Sequence, residues 1–184
     1  MGRLLPDVIS TDPKQMAVVL IGFMGAGKTS VGRALSRHLG WPFEDLDDRI
    51  ESREARRIDQ IFLESGEPDF RRAESAALRE LLTELPGSPR VVALGGGAFA
   101  RPENVELLKA ARVRLVFLDG AADELMERCD REGRVRPMRR SPRQFRELYE
   151  QRRASYLRAD CRIDTTGKSV EMVAMEVACS LGLE

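Results

Sequence analysis

Residues 16–40 read MAVVLIGFMGAGKTSVGRALSRHLG, and this stretch decides the fold. Residues 16–21 form an apolar run of strand length between Lys14 and Gly22, with the unbroken apolarity of a strand buried on both faces. Residues 30–39 bring Val31, Ala34, Leu35 and His38 or Leu39 to helical spacing, and Gly40 follows as a stop signal. Between the two, Gly22-Phe23-Met24-Gly25-Ala26-Gly27-Lys28-Thr29 satisfies G-x-x-x-x-G-K-[ST] in the strand–loop–helix setting that a P-loop needs. Its glycines let backbone N–H groups turn inward around the α- and β-phosphates of a nucleotide, and the helix N-terminus adds its partial positive charge. Lys28 then reaches the β- and γ-phosphates, and the Thr29 hydroxyl ligates Mg²⁺. The bland alternative is a glycine-rich turn with an exposed lysine.

Further apolar runs of strand length lie at 91–94 and 113–118, with weaker candidates at 41–43 and 161–163. Helical patterns at 47–53, 59–64, 68–85, 102–111, 122–130, 142–159 and 169–181 separate them. Strands alternating with helices predict an α/β fold, a central, mainly parallel sheet of about five strands flanked by helices on both faces. There is no internal repeat and no low-complexity segment. Residues 1–15, with Pro6 and Pro13, read as a loose extension, and 16–184 as a single domain.

With 184 residues, the chain is long enough for one core that buries roughly 70% of the unfolded surface. The 42% apolar and 33% charged residues argue against disorder, and no apolar run approaches the ~20 residues of a membrane span. Thirty Lys and Arg cancel thirty Asp and Glu, so no overall field attracts nucleic acid or an anionic membrane. The exception is local: residues 128–158 hold eleven Arg against four acids. Cys129, Cys161 and Cys179 are an odd count without C-x-x-C spacing, and His38 is the only histidine, which argues against a disulfide framework or a structural zinc site. With no apolar signal segment at the N-terminus, the expectation is a cytoplasmic protein.

Four further clusters carry candidate chemistry. Phe43-Glu44-Asp45-Leu46-Asp47-Asp48 follows the presumptive second strand, and an extended backbone there aims Asp45 and Asp47 to one side, toward the ligand crevice of a parallel sheet. One carboxylate could hold the water shell of Mg²⁺ and the other accept a proton from a substrate hydroxyl; alternatively Asp47 or Asp48 only caps the next helix. Gly95-Gly96-Gly97, directly after the strand at 91–94, lets a ligand approach the backbone itself, unless it is a plain turn. Arg71 and Glu74 stand at i, i+3, the spacing of an ordinary surface ion pair. Gly133-Arg134-Val135-Arg136-Pro137 is a basic loop and Arg152-Arg153 lies on the next helix; such a run is a solvated face or, beside a P-loop, a lid that brings Arg to a transferring phosphoryl group.

Taken together, GFMGAGKT (22–29), FEDLD (43–47), GEPDFRRAE (66–74), LGGGA (94–98), VRP (135–137) and RRASY (152–156) resemble the shikimate kinase family over nearly the whole chain. The resemblance implies a P-loop NTPase fold of the nucleoside monophosphate kinase type with a mobile lid at about 131–142. It implies ATP-dependent phosphorylation of the 3-hydroxyl of shikimate by a cytoplasmic monomer that uses Mg²⁺ and binds neither nucleic acid nor membrane. By the same resemblance, Lys28, Asp47 and Arg136 are catalytic, Asp47 assisting deprotonation of the attacking hydroxyl and Arg136 swinging in on the lid. Asp47, Arg71, Gly95, Gly96, Gly97 and Arg153 bind the substrate, with Arg71 and Arg153 on its carboxylate and Glu74 orienting Arg71. Gly25, Ala26, Gly27, Lys28, Thr29, Ser30, Arg128 and Arg136 hold the nucleotide, Arg128 stacking on adenine. Thr29 and, through water, Asp45 hold the metal. The chain departs from the family where R-x-P-L-Y is usual, reading Arg153-Ala154-Ser155-Tyr156-Leu157, and where R-P-L-L is usual, reading Arg136-Pro137-Met138-Arg139. Two alternatives are a kinase for another polyol acid such as gluconate and a non-catalytic nucleotide-binding homologue. The second would have lost Lys28, Asp47 or an anchoring arginine, and none is lost.

Overall fold

The structure is a computed structural model that describes residues 17–131 and 141–183. In chain order its elements are β1 (Ala17–Ile21), α1 (Lys28–Leu39), β2 (Phe43–Asp45), α2 (Leu46–Glu54), α3 (Ile58–Glu84), β3 (Arg90–Ala93), α4 (Pro102–Ala110), β4 (Arg114–Asp119), α5 (Ala122–Arg131), α6 (Pro142–Tyr156), β5 (Cys161–Asp164) and α7 (Val170–Leu181). The five described strands form one parallel sheet in the order β2-β3-β1-β4-β5. β1 is central because its five residues have no polar side chain to hydrate, and all five are buried. In register, Val18 lies between Val91 of β3 and Arg114 of β4, and Leu20 between Ala93 and Val116. The chain leaves β1 toward β2 on one side, while β4 lies on the other, so the carboxyl end of β1 is the switch point where α/β sheets bind ligands.

Three local differences from the sequence expectation have physical causes. The second strand begins at Phe43 rather than Trp41, because Pro42 has no N–H; its carbonyl still accepts from Val91 N at 2.9 Å. The strand therefore ends at Asp45, and Asp47 is in the first turn of α2 instead of on an extended backbone. The helix cap is Asp45, whose side chain accepts from Asp47 N at 3.0 Å, rather than Asp47 or Asp48. The two helices expected at 59–64 and 68–85 are the two parts of α3, interrupted at Gly66, whose φ of 79° and ψ of 175° no helix contains. The extension 1–15 lies outside the described residues, as does the expected lid apart from its ends Arg131, Ser141 and Pro142. No helix among the described residues is long and apolar enough to cross a membrane.

Candidate active site

The loop after β1 takes the left-handed conformations that its glycines permit. Gly25 and Gly27 both have φ of 79°, and a Cβ on Gly25 would stand 2.4 Å from the carbonyl oxygen of Leu125. Gly27 caps α1, so Lys28 and Thr29 open the helix and Ser30 follows, exposed. The helix therefore begins two residues before the expected start at 30, and Lys28, Thr29 and Ser30 share its N-terminal turn. Lys28 Nζ is folded back onto the loop, donating to the carbonyls of Gly22 and Phe23, each at 3.0 Å. Thr29 Oγ1 donates to Asp45 Oδ2 at 2.7 Å. That hydroxyl and carboxylate are hard oxygen donors on adjacent elements. They fit Mg²⁺, which keeps most of its waters and needs few protein ligands beside substrate phosphates.

A cleft of about 400 Å³ opens here, lined by Gly25, Lys28, Thr29, Asp45, Asp47 and Gly95 among others. Its far wall is the loop after β3. Leu94 N donates to Leu20 O at 3.0 Å and holds that loop beside the P-loop. A Cβ on Gly95 would stand 2.7 Å from Asp47 Oδ1, and one on Gly97 would stand 2.5 Å from Arg71 Nη1, whereas Gly96 has room for one. At two of the three glycines the side-chain ends of Asp47 and Arg71 thus lie where a Cβ would be, and a larger residue would displace them from these positions.

Arg71 and Glu74 are more than a surface ion pair. Arg71 Nη1 donates to Glu74 Oε2 at 3.0 Å and Arg71 Nη2 to Glu67 Oε1 at 3.0 Å. Burial pushes the Glu74 carboxyl above its ordinary value against the pull of Arg71, with the Asp47 charge adding to the rise. Burial also works against the Arg71 cation, but Glu74 and Glu67 outweigh it and its pKa is raised. Glu74, kept inside by Arg71, fixes the direction of the guanidinium, whose other edge is held by Glu67.

The structure separates the two adjacent arginines of α6, and the one expected at the substrate lies elsewhere than the glycine loop. Arg153 faces away from the glycine loop: its Nη2 donates to Asp119 Oδ2 at 2.8 Å, and that bond raises its pKa. Asp119, buried at the end of β4, also accepts from Tyr149 OH at 3.1 Å and Arg162 Nε at 2.8 Å. Arg152 instead donates to Gly96 O at 3.2 Å, and its guanidinium lies 5.8 Å from the centroid of the Phe23 ring. Burial lowers its pKa and the neighbouring Arg71 cation lowers it further. Tyr156 OH donates to the same Gly96 carbonyl, and burial pushes its pKa up to about 12. The reason is helical phase: Arg152 and Tyr156 are four apart on one face of α6, Tyr149 and Arg153 four apart on another. Counting one turn back from Tyr156 picks out Arg152, the arginine that shares the Gly96 carbonyl with it.

Arg128 is on α5, ion-paired with Glu124, and its Nη2 donates to Thr165 O at 3.2 Å beyond the end of β5. Arg136 lies outside the described residues.

A family model described as shikimate kinase matches residues 24–181. A shikimate kinase of Geobacter sulfurreducens is 43% identical over 163 residues, 88% of each chain. The solved shikimate kinase of Acinetobacter baumannii in complex with shikimate is 33% identical, covers 92% of this chain and 95% of its own, and superposes with a TM-score of 0.82. A gluconokinase of Sinorhizobium meliloti 1021 covers 92% of this chain at 21% identity and a TM-score of 0.61, a likeness of fold alone.

Proposed function

The chain belongs to the shikimate kinase family, and on that premise we propose that it transfers the γ-phosphoryl group of ATP to the 3-hydroxyl of shikimate, giving shikimate 3-phosphate and ADP. The observation that carries the reading is the juxtaposition around Gly95–Gly97: the Asp47 carboxylate at one end, Arg71 at the other, and Arg152 on the carbonyl between them. A hydroxylated ring bearing one carboxylate suits that spacing of a base and two guanidinium groups. The P-loop lies against the same cleft and supplies the phosphate cradle.

In this reading Lys28 exchanges the carbonyls of Gly22 and Phe23 for phosphate oxygens when ATP binds. Arg71, oriented by Glu74, and Arg152 clamp the shikimate carboxylate and fix the ring. Asp47 takes the proton of the 3-hydroxyl as that oxygen bonds the γ-phosphorus and the bond to the β,γ-bridging oxygen breaks, releasing ADP. Mg²⁺, held by Thr29 and through water by Asp45, would neutralise phosphate charge. Arg128 on the adenine side and Arg136 on the phosphates complete the nucleotide site. Arg153 is assigned to the Asp119 cluster instead of the substrate.

The gluconate reading draws on a likeness of fold alone. A coupled ADP-release assay with shikimate, gluconate and quinate as acceptors tests the choice. Turnover with shikimate and background rates with the others are expected; preference for gluconate would reverse the assignment.

A further inference from the structure

Arg71 is engaged on every side. Its Nη1 donates to both oxygens of Glu74, at 3.2 and 3.0 Å, and its Nε and Nη2 both donate to Glu67 Oε1, at 3.2 and 3.0 Å. The end of the guanidinium abuts Gly97, where a Cβ would stand 2.5 Å from Nη1 and 2.8 Å from Nη2. The Nε–Nη2 edge is one that can grip a carboxylate with two parallel bonds. Here a carboxylate of the chain itself holds it.

The two resident carboxylates are not equivalent. The Glu74 side chain is 1% exposed and that of Glu67 is 52% exposed, with Arg71 at 11%. Expelling Glu74 would strand a charge in the interior, whereas Glu67 can turn into water. The backbone favours the same choice, because α3 is interrupted at Gly66, immediately before Glu67.

We propose that Glu67 is a resident counter-ion that sets the affinity for the acceptor, holding the Nε–Nη2 edge of Arg71 until the carboxylate of the acceptor displaces it. The proposal rests on the reading of Arg71 as a substrate clamp. Exchange of one carboxylate for another keeps Arg71 neutralised throughout. An uncharged polyol cannot make the exchange and leaves Arg71 with Glu67, so the resident ion pair is a cost that only an acid acceptor meets on binding.

Isothermal titration calorimetry of shikimate into the nucleotide-free full chain tests this with E67Q and E67A, both at a half-exposed position. Each variant should bind shikimate about two- to fivefold more tightly than the wild type, the effect of removing a competing, partly exposed ion pair. In an Arg71→Lys background the gain should vanish. Unchanged or weaker binding in E67Q and E67A would overturn the proposal, since Glu67 would then be a bystander or a support for Arg71. Arg71→Lys alone separates the two levels. If it weakens shikimate binding while E67Q fails to tighten it, only the role of Glu67 is lost; if it leaves binding unchanged, the clamp reading and the counter-ion fall together.

Discussion

Arg152→Lys is the substitution that bears most on how the substrate is held. Arg152 is half-buried between the Gly96 carbonyl, 3.2 Å away, and the Phe23 ring, 5.8 Å from its centroid, and its burial and the nearby Arg71 cation both depress its pKa. Lysine keeps the charge and loses the planar fork, so at least one charge-assisted hydrogen bond to the acceptor carboxylate disappears. Such a bond is worth roughly 1.5–3 kcal/mol, or about ten- to a hundredfold in kcat/KM for shikimate. Loss of the contact over Phe23 adds about 0.5–1 kcal/mol. Arg153→Lys is the internal control, since Arg153 donates to Asp119 and not to the glycine loop. It should lower stability by about 1 kcal/mol in urea unfolding and leave the shikimate KM within about twofold. Steady-state rates with shikimate varied at saturating ATP, alongside urea midpoints, read both effects. A large rise in shikimate KM for Arg153→Lys with none for Arg152→Lys would refute the reasoning and return the clamp to Arg153.

Gly97→Ala should raise the shikimate KM severalfold or more, because its Cβ would stand 2.5 Å from Arg71 Nη1, while Gly96→Ala, with its nearest neighbour at 3.5 Å, should cost much less; equal effects would contradict the close-approach argument. Lys28→Ala should reduce kcat to well under a tenth in a folded protein, as expected for losing a cation aimed at the transferring group. Asp47→Asn should lose most turnover while ATP still binds in calorimetry, and an unchanged kcat would reduce Asp47 to a residue of the α2 first turn. Hydrogen bonding from Arg49 holds the Glu84 carboxyl below its ordinary 4.5, so the unfolded chain binds more protons between the two values and stability there rises with pH. The wild type should therefore lose stability as pH falls below about 4.5, and Glu84→Gln should lose less; parallel urea midpoints from about pH 6 to about pH 3 would rule this out.

What the sequence disclosed follows from how local each signal is. The P-loop and β1 were legible because Ala17–Ile21 and Gly22–Thr29 carry the strand, the turn and the chemistry within one short segment. The glycines after β3 were legible as a place of close approach, but what approaches, Asp47 and Arg71, comes from α2 and α3. The start of β2 was misjudged because Trp41 is apolar, although Pro42 beside it cannot donate to the ladder. The two adjacent arginines could not be told apart by residue type. They point about 100° apart on α6, and only the partner of each face, Tyr156 or Tyr149, distinguishes them. Asp119 gave no signal at all: Tyr149, Arg153 and Arg162 meet it from 30 to 43 residues away. Glu67 drew no reading of its own, and its hold on Arg71 is visible only once the Gly66 break is seen.

The central claim is tested most directly by identifying the products of a single incubation of the purified chain with shikimate, ATP and Mg²⁺ by phosphorus and proton NMR. The account predicts one equivalent of ADP for each phosphate transferred, with the new phosphate coupled to the proton at the 3-position and none elsewhere on the ring. ADP formed with free phosphate and unchanged shikimate, or a phosphate on a different hydroxyl, would contradict it.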